Sequence, residues 1–302
     1  MTLLIGSLAI YRGQAQMKTL KRVLDQLERV YFDLKVSAPS TTKVQVKNVA
    51  MVIVLLWMAS VVLMEFVSYY MKATSKGDTM WTLNLCFGVR YITDLQGMMA
   101  VVKWTCTVLP VYEGATALNQ HLIRLRHVSE LSILPGDISL KKSEALASSV
   151  LRLARSYERM SDIMRQMGDA NGLFLMAVLT STFLRLVITP YYMLYLNEVH
   201  GLTLSINWMI IHLVVLMLTI EPCEWTHAQR QHTALLLSQL IVQQSPNDEQ
   251  LSRQLEQFAD QLMMSSTQFS SLGIYTLDRK LTAAILGGVT TYLVIIIQFQ
   301  TT

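Results

Sequence analysis

Two groups of residues in this chain have side chains that can do chemistry, and they point in different directions. The first is His227 and His232, with Glu221 and Glu224 close by, donor types found in metal centres and hydrolases. Metal binding on one helical face needs a spacing such as H-E-x-x-H, and these histidines stand five apart without that motif. There is likewise no phosphate-cradling glycine loop, no G-x-S-x-G elbow and no pair of carboxylates within one apolar run. We therefore assign no catalytic residues, no metal ligands and no cofactor, and the chain does not read as an enzyme.

The second group is Glu65, Arg90, Asp94, Lys103 and Arg185, all set inside apolar runs. An ionisable group at membrane depth is costly unless it faces a bundle interior or water, so each is either a helix–helix bond or part of a ligand path. Arg90 and Asp94 stand four apart on one helical face and are expected to pair with each other. His212 shares a face with Trp208 and reads equally as a core histidine or a ligand contact. Aromatic walls carrying a few polar groups suit small organic molecules. Trp57, Glu65, Tyr69, Tyr91, Asp94, Tyr191, Trp208 and His212 are accordingly the candidate ligand-binding residues.

The elements that position these groups are membrane helices. Hydrophobic residues make up 52% of the 302 and charged residues only 15%, with a mean hydropathy of +0.37; runs of about twenty apolar residues then decide for a polytopic membrane protein. The net charge of +4 comes without a basic stretch interleaved with stacking aromatics, so a nucleic-acid partner is excluded. Cys86, Cys106 and Cys223 have no motif spacing and read as packing residues. The expected fold class is all-α, a helical bundle with long cytosolic helical extensions.

In chain order, residues 1–10 read as the inner end of a span whose beginning is absent. Residues 11–48 hold an amphipathic cytosolic helix, with Met17, Leu20, Leu24, Leu27, Tyr31 and Leu34 on one face, followed by a loop. Residues 49–71 form the first whole span, with Glu65 its only charge, and 81–112 a second, more polar one. Residues 113–172 are cytosolic helices, broken at Pro135-Gly136 before Asp137 caps the next. Its apolar seam is Leu146, Val150, Leu153, Tyr157, Met160, Met164 and Met167, expected to bury area within and between subunits. Spans follow at 173–196, kinked by Pro190, and at 202–220. Residues 221–280 are cytosolic again, with a seam at Leu251, Leu255, Phe258, Leu262 and Phe269 in a helix that Gly273 ends. Residues 281–299 are the last span, about 28 Å long as a helix. The blocks 11–48, 113–172 and 221–280 hold twenty Lys and Arg, whereas the intervening loops hold two. The positive-inside rule thus puts the blocks in the cytosol and the C-terminus outside.

Gly273, Leu277-Asp278-Arg279 and Leu281, then Thr291-Tyr292, five apolar residues and Gln298-Phe299, resemble the C-terminal signature of insect gustatory receptors. The resemblance implies a seven-span chemoreceptor of the plasma membrane, and the five whole spans here would be its third to seventh. It implies a tetrameric ligand-gated non-selective cation channel, homomeric or built with other gustatory receptor subunits, in membrane lipid, opened by a small-molecule tastant. The last span would line the pore, with Gln298 and Phe299 at the gate and Thr291, Tyr292, Val294 and Ile295 along the wall. Leu293 follows Tyr292 where the sweet-taste branch typically carries an acidic residue, which implies a bitter or other non-sweet tastant rather than a fructose-type sugar. Outside the family, Glu65, Arg90, Asp94 and Arg185 would suit a transporter path, but no inverted repeat accompanies them.

Overall fold

The computed structural model describes residues 13–33, 52, 56–67, 70, 80–130, 138–193, 199–243, 249–265, 268–271 and 273–300. In chain order these form α1 (Gly13–Asp33), α2 (Leu56–Val67), α3 (Met80–Glu130), α4 (Ile138–Met193), α5 (Val199–Gln243), α6 (Glu249–Met264), a hairpin of β1 (Ser270–Ser271) and β2 (Tyr275–Thr276), and α7 (Arg279–Gln300). Helices α3, α4 and α5 have 51, 56 and 45 residues, between about 65 and 85 Å at 1.5 Å per residue, far longer than a hydrocarbon core of about 30 Å. Each is therefore long enough to cross a bilayer and project beyond it. Stretches long and apolar enough to cross a membrane occur in Glu144–Tyr191, Leu202–Gln243 and Arg279–Phe299.

The boundaries between span and extension near residues 112 and 220 are not breaks in the backbone; α3 and α5 run straight through. The edge of a membrane changes which side chains are favoured, but it does not interrupt a backbone ladder. Pro222 lies inside α5 and cannot donate to the carbonyl of Leu218. The Thr105 hydroxyl donates to that carbonyl instead, at 2.8 Å, and the Trp104 indole N–H donates to Thr219 O at 3.2 Å. One proline thus becomes a cross-link between α3 and α5 without an orphaned carbonyl.

The core runs the length of the bundle. On α3 it comprises Asp94, Met98, Val101, Thr105, Val108, Val111, Ala115, Leu118 and Leu122, steps of three and four that keep one stripe on α5. Away from the apolar spans, a polar zipper continues this contact: Asn119 donates to the Gln229 carbonyl at 2.8 Å and accepts from the Thr233 hydroxyl at 2.7 Å. The α4 seam from Val150 to Met167 is buried as its periodicity requires, and Leu251, Leu255 and Phe258 of α6 close over it, with the Phe258 ring edge-on to Tyr157 at 5.7 Å. Most of both seams is buried inside the subunit, with Leu146 and Leu262 only partly so.

Three local expectations are corrected. The buried face of α1 is Val23, Leu27 and Val30, with Leu24 exposed. The face is therefore turned from the one expected, because the helix also places Tyr31 to donate to Pro110 O at 3.2 Å and Asp33 to pair with Arg159. Phe269 lies beyond the end of α6, buried against Trp104 with ring centroids 5.7 Å apart. Gly273 does not end a helix but occupies a β-turn, at φ 71°, closed by Ile274 N–H donating to Ser271 O at 3.0 Å. That positive φ at the third turn position is the one glycine supplies without strain. Cys223 is buried as expected, whereas Cys106 is exposed. Asp137, Pro135 and Gly136 lie outside the described residues, as do Leu34, residues 1–10 and the ends of span 49–71.

Candidate functional site

Four helices bring the intramembrane charges together. On α2, Met58, Val61 and Glu65 share the buried face, while Leu63, Met64, Phe66 and Val67 point outward as lipid-facing residues should. Glu65 is 7% exposed and accepts a hydrogen bond from the indole N–H of Trp208 on α5. One turn further along α5, the His212 ring lies 5.6 Å from that of Trp208 at 31°. His212 in turn shares a cavity of about 50 Å³ with Asp94 and Gly97 of α3 and Ser181, Thr182 and Arg185 of α4.

Asp94, 6% exposed, makes a longer-range pair across the bundle with Arg185. Helical spacing shows that Arg90 and Asp94 share a face, but it cannot show which cation lies across the bundle. The side chain of Arg90 is outside the described residues. Of the eight candidate ligand residues, Glu65, Asp94, Trp208 and His212 thus form one connected patch. Trp57 packs partly buried on the core, and Tyr191 is half-buried further along α4. Tyr69 and the side chain of Tyr91 lie outside the described residues. Ser181 and Thr182 were not anticipated; their signal is the i, i+1, i+4 set of polar groups with Arg185 on an otherwise apolar helix.

The last helix is built to present one face and pack another. Asp278 caps it, its carboxylate accepting from Leu281 N–H at 2.9 Å and from the Thr276 hydroxyl at 3.2 Å. Arg279 clasps α5 by two parallel hydrogen bonds, Nε to Glu221 Oε1 at 3.1 Å and Nη2 to Oε2 at 3.0 Å, while its backbone N–H donates to Glu224 at 3.4 Å. Leu277 is buried beneath this clasp. Gly273, Leu277, Asp278, Arg279 and Leu281 are therefore all accounted for by the turn, cap and clasp that anchor α7. Beyond the anchor, Thr282, Ile285, Val289 and Leu293 pack on the core, whereas Gly287, Thr291, Val294, Ile295 and Gln298 are exposed on the opposite side. Tyr292 stands on the flank of the packed face with its ring edge-on to Phe183, centroids 6.0 Å apart. Phe299 is 82% exposed.

The histidine and glutamate cluster does not converge. Glu221 and Glu224 are engaged by Arg279, His227 is hydrogen-bonded to Gln231, and His232 is exposed. Among the described residues no group of three or more His, Cys, Asp or Glu is placed to hold a metal.

A family model described as 7tm chemosensory receptor matches residues 1–302. The chain belongs to that family. It is a family of receptors, not of enzymes, and its members are membrane proteins, in keeping with the apolar helices here. The chain is 26% identical over 173 residues to the gustatory receptor for sugar taste 43a of Drosophila melanogaster, covering 56% of this chain and 39% of that protein. It is 26% identical over 136 residues to the putative gustatory receptor 28b of the same species, covering 41% and 28%. The chain thus spans well under half of either relative. The fold matches that of the olfactory receptor OR5 from Machilis hrabei with a TM-score of 0.59, over 94% of this chain and 69% of that one, at 12% identity.

The clasp of this chemosensory receptor predicts a pH response. The Arg279 guanidinium hydrogen-bonded to Glu221 holds that carboxyl below its usual range, despite the opposing effect of partial burial. A carboxyl with a lowered folded pKa stabilises the fold above its unfolded value and loses that contribution as pH falls through the folded one. Thermal unfolding of the purified protein should therefore show a full and constant contribution from this pair between pH 8 and 6 and its loss on acidification below about 4.5. Glu221→Gln should remove that acid-side step; an unaltered acid profile would show that the clasp is not made.

Proposed function

We propose that the protein is a ligand-gated cation channel of the gustatory type, in which α7 lines a pore between four subunits and the Glu65–Trp208–His212–Asp94–Arg185 patch receives the tastant. The observation that carries this reading is the division of α7. Its inner end is clasped and one face is packed, yet the opposite face, with Thr291, Val294, Ile295 and Gln298, is exposed on the side away from the subunit core. A helix whose lipid face needs only apolar groups has no use for Gly287, Thr291 and Gln298 there. A ring of such faces gives a narrow, mostly apolar conduit, which closes by losing its water.

The cavity of about 50 Å³ is well below the roughly 300–1,000 Å³ of ordinary ligand sites. An ordinary ligand therefore needs more room there, which spreading of α3, α4 and α5 would supply. Two tastant classes have support. Leu293 after Tyr292 favours a bitter or other non-sweet compound. The likeness to the sugar-taste receptor 43a, together with a lining of carboxylate, guanidinium, hydroxyl and imidazole groups, favours a hydroxyl-rich molecule such as a sugar, and the lining is the stronger argument. In this orientation the large polar blocks are cytosolic, at the plasma membrane, and the C-terminus is outside.

Whole-cell recording during application of fructose, sucrose, quinine and caffeine tests both levels. Inward cation current with the sugars is the expected result; current with the alkaloids alone would reverse the choice of ligand, and silence to every compound would count against the channel. Trp208→Phe keeps the ring but removes a donor to Glu65, a hydrogen bond worth about 1.5–3 kcal/mol when it serves a charged group. The half-maximal concentration of the active compound should rise about tenfold or more, with surface expression unchanged.

A further inference from the structure

Helix α4 is the common wall between the cavity and α7. Val178, Ser181, Thr182 and Arg185 line the cavity, and Phe183 points about 150° round the helix from them at 100° per residue. Its ring reaches the last helix at two places. One is the edge-on contact with Tyr292 at 6.0 Å. The other is Gly288, where a Cβ would stand 3.2 Å from Cε2 and 3.7 Å from Cζ of that ring. The neighbouring Gly287 meets nothing. The two glycines thus differ: Gly287 lies on the open face of α7, and Gly288 is a notch occupied by Phe183.

We propose that Phe183 is the positioning residue that carries movement of the cavity wall to α7, with Gly288 as its socket. This rests on the reading of α7 as the pore helix. When Ser181, Thr182 and Arg185 are displaced by a ligand, the same short helical segment displaces Phe183. A close-packed ring in a notch moves its neighbour instead of sliding past it, because interiors have little free volume. The inner end of α7 is fixed by the Arg279 clasp and the Asp278 cap, about 28 Å from Gln298 at 1.5 Å per residue. A push near the middle of the helix therefore swings its outer end, where Gln298 and Phe299 stand. Tyr292 extends the contact by one turn and keeps the push off the open face.

The test is a double-mutant cycle read in two ways. A single thiol, Gln298→Cys, is introduced with Cys86, Cys106 and Cys223 replaced by serine, and its labelling by N-ethylmaleimide is timed in membranes alongside ligand-independent current. Phe183→Ala and Gly288→Leu, each of which spoils the fit, should each alter the labelling rate about fivefold in the same direction, and the two together, which restore bulk across the contact, should return it to within about twofold of the parent. Gly288→Ala and Phe183→Leu, smaller changes in volume, should shift the rate in the same directions and guard against misfolding of the larger variants. Unchanged rates in the single variants, or a double variant equal to the sum of its parts, would overturn the coupling. A non-additive labelling cycle in a protein that never conducts would leave the coupling intact and refute the channel.

Discussion

Arg185→Leu is expected to abolish surface expression, and Arg185→Leu combined with Asp94→Leu to restore it. Asp94 is buried on α3 and Arg185 is partly buried on α4, 91 residues later. Removing one member of a buried pair leaves the other charge in a low-dielectric site, a loss of about 3–5 kcal/mol, whereas replacing both by apolar residues of similar volume is often neutral or stabilising. Against a typical total of about 5–15 kcal/mol, the single change is large enough to trap the protein in quality control. The restored double variant should nevertheless fail to respond to the active tastant, since the cavity has lost its two charged walls. Antibody labelling of intact cells reads the first outcome and current the second. If Arg185→Leu reaches the surface as the parent does, the pair does not hold the bundle; if the double variant responds normally, the patch is not the ligand site.

The second large effect concerns the outer end of α7. Phe299 is almost wholly exposed within the subunit, so Phe299→Ala removes little packing and should leave folding and surface density unaltered. In a ring of four subunits the same truncation widens an apolar constriction, and rehydration of that constriction is opening. Ligand-independent current should rise about tenfold, which corresponds to roughly 1.4 kcal/mol in the closed–open equilibrium. Gln298→Leu makes the same region more apolar and should lower the evoked current without raising the half-maximal concentration. Parent-like currents and ion selectivity in both variants, at equal surface density, would remove these residues from the gate.

The parts of the fold that could be read from the sequence are those set by local periodicity. The heptad stripe from Val150 to Met167 is buried where its spacing puts it, and the apolar character of α4, α5 and α7 follows from side-chain hydropathy alone. On α1 the same reasoning is off by part of a turn: Leu24 is as apolar as Val23, and only the docking of Tyr31 on Pro110 and Asp33 on Arg159 chooses between the two faces. Features that depend on remote partners were not legible. Asp94 finds Arg185, Glu65 finds Trp208, and Thr105 finds the carbonyl freed by Pro222, each across more than ninety residues. The two-residue strands around Gly273 are too short for any alternating pattern to be visible. The signature residues were recognised by resemblance, and their physical roles emerged only from contacts: Gly273 as a turn, Asp278 as a cap and Arg279 as a clasp.

A cysteine scan of α7 tests the central claim most directly, because it asks which face of that helix meets the conducting path. Residues Ile285, Val289 and Leu293 pack on the core, and Thr291, Val294, Ile295 and Gln298 face away from it. Each is replaced singly by cysteine, and block of the current by a charged, membrane-impermeant thiol reagent is recorded. The account predicts block at positions 291, 294, 295 and 298 and none at 285, 289 and 293. Block that ignores this division, or is absent from all seven positions while current flows, would contradict a pore lined by α7.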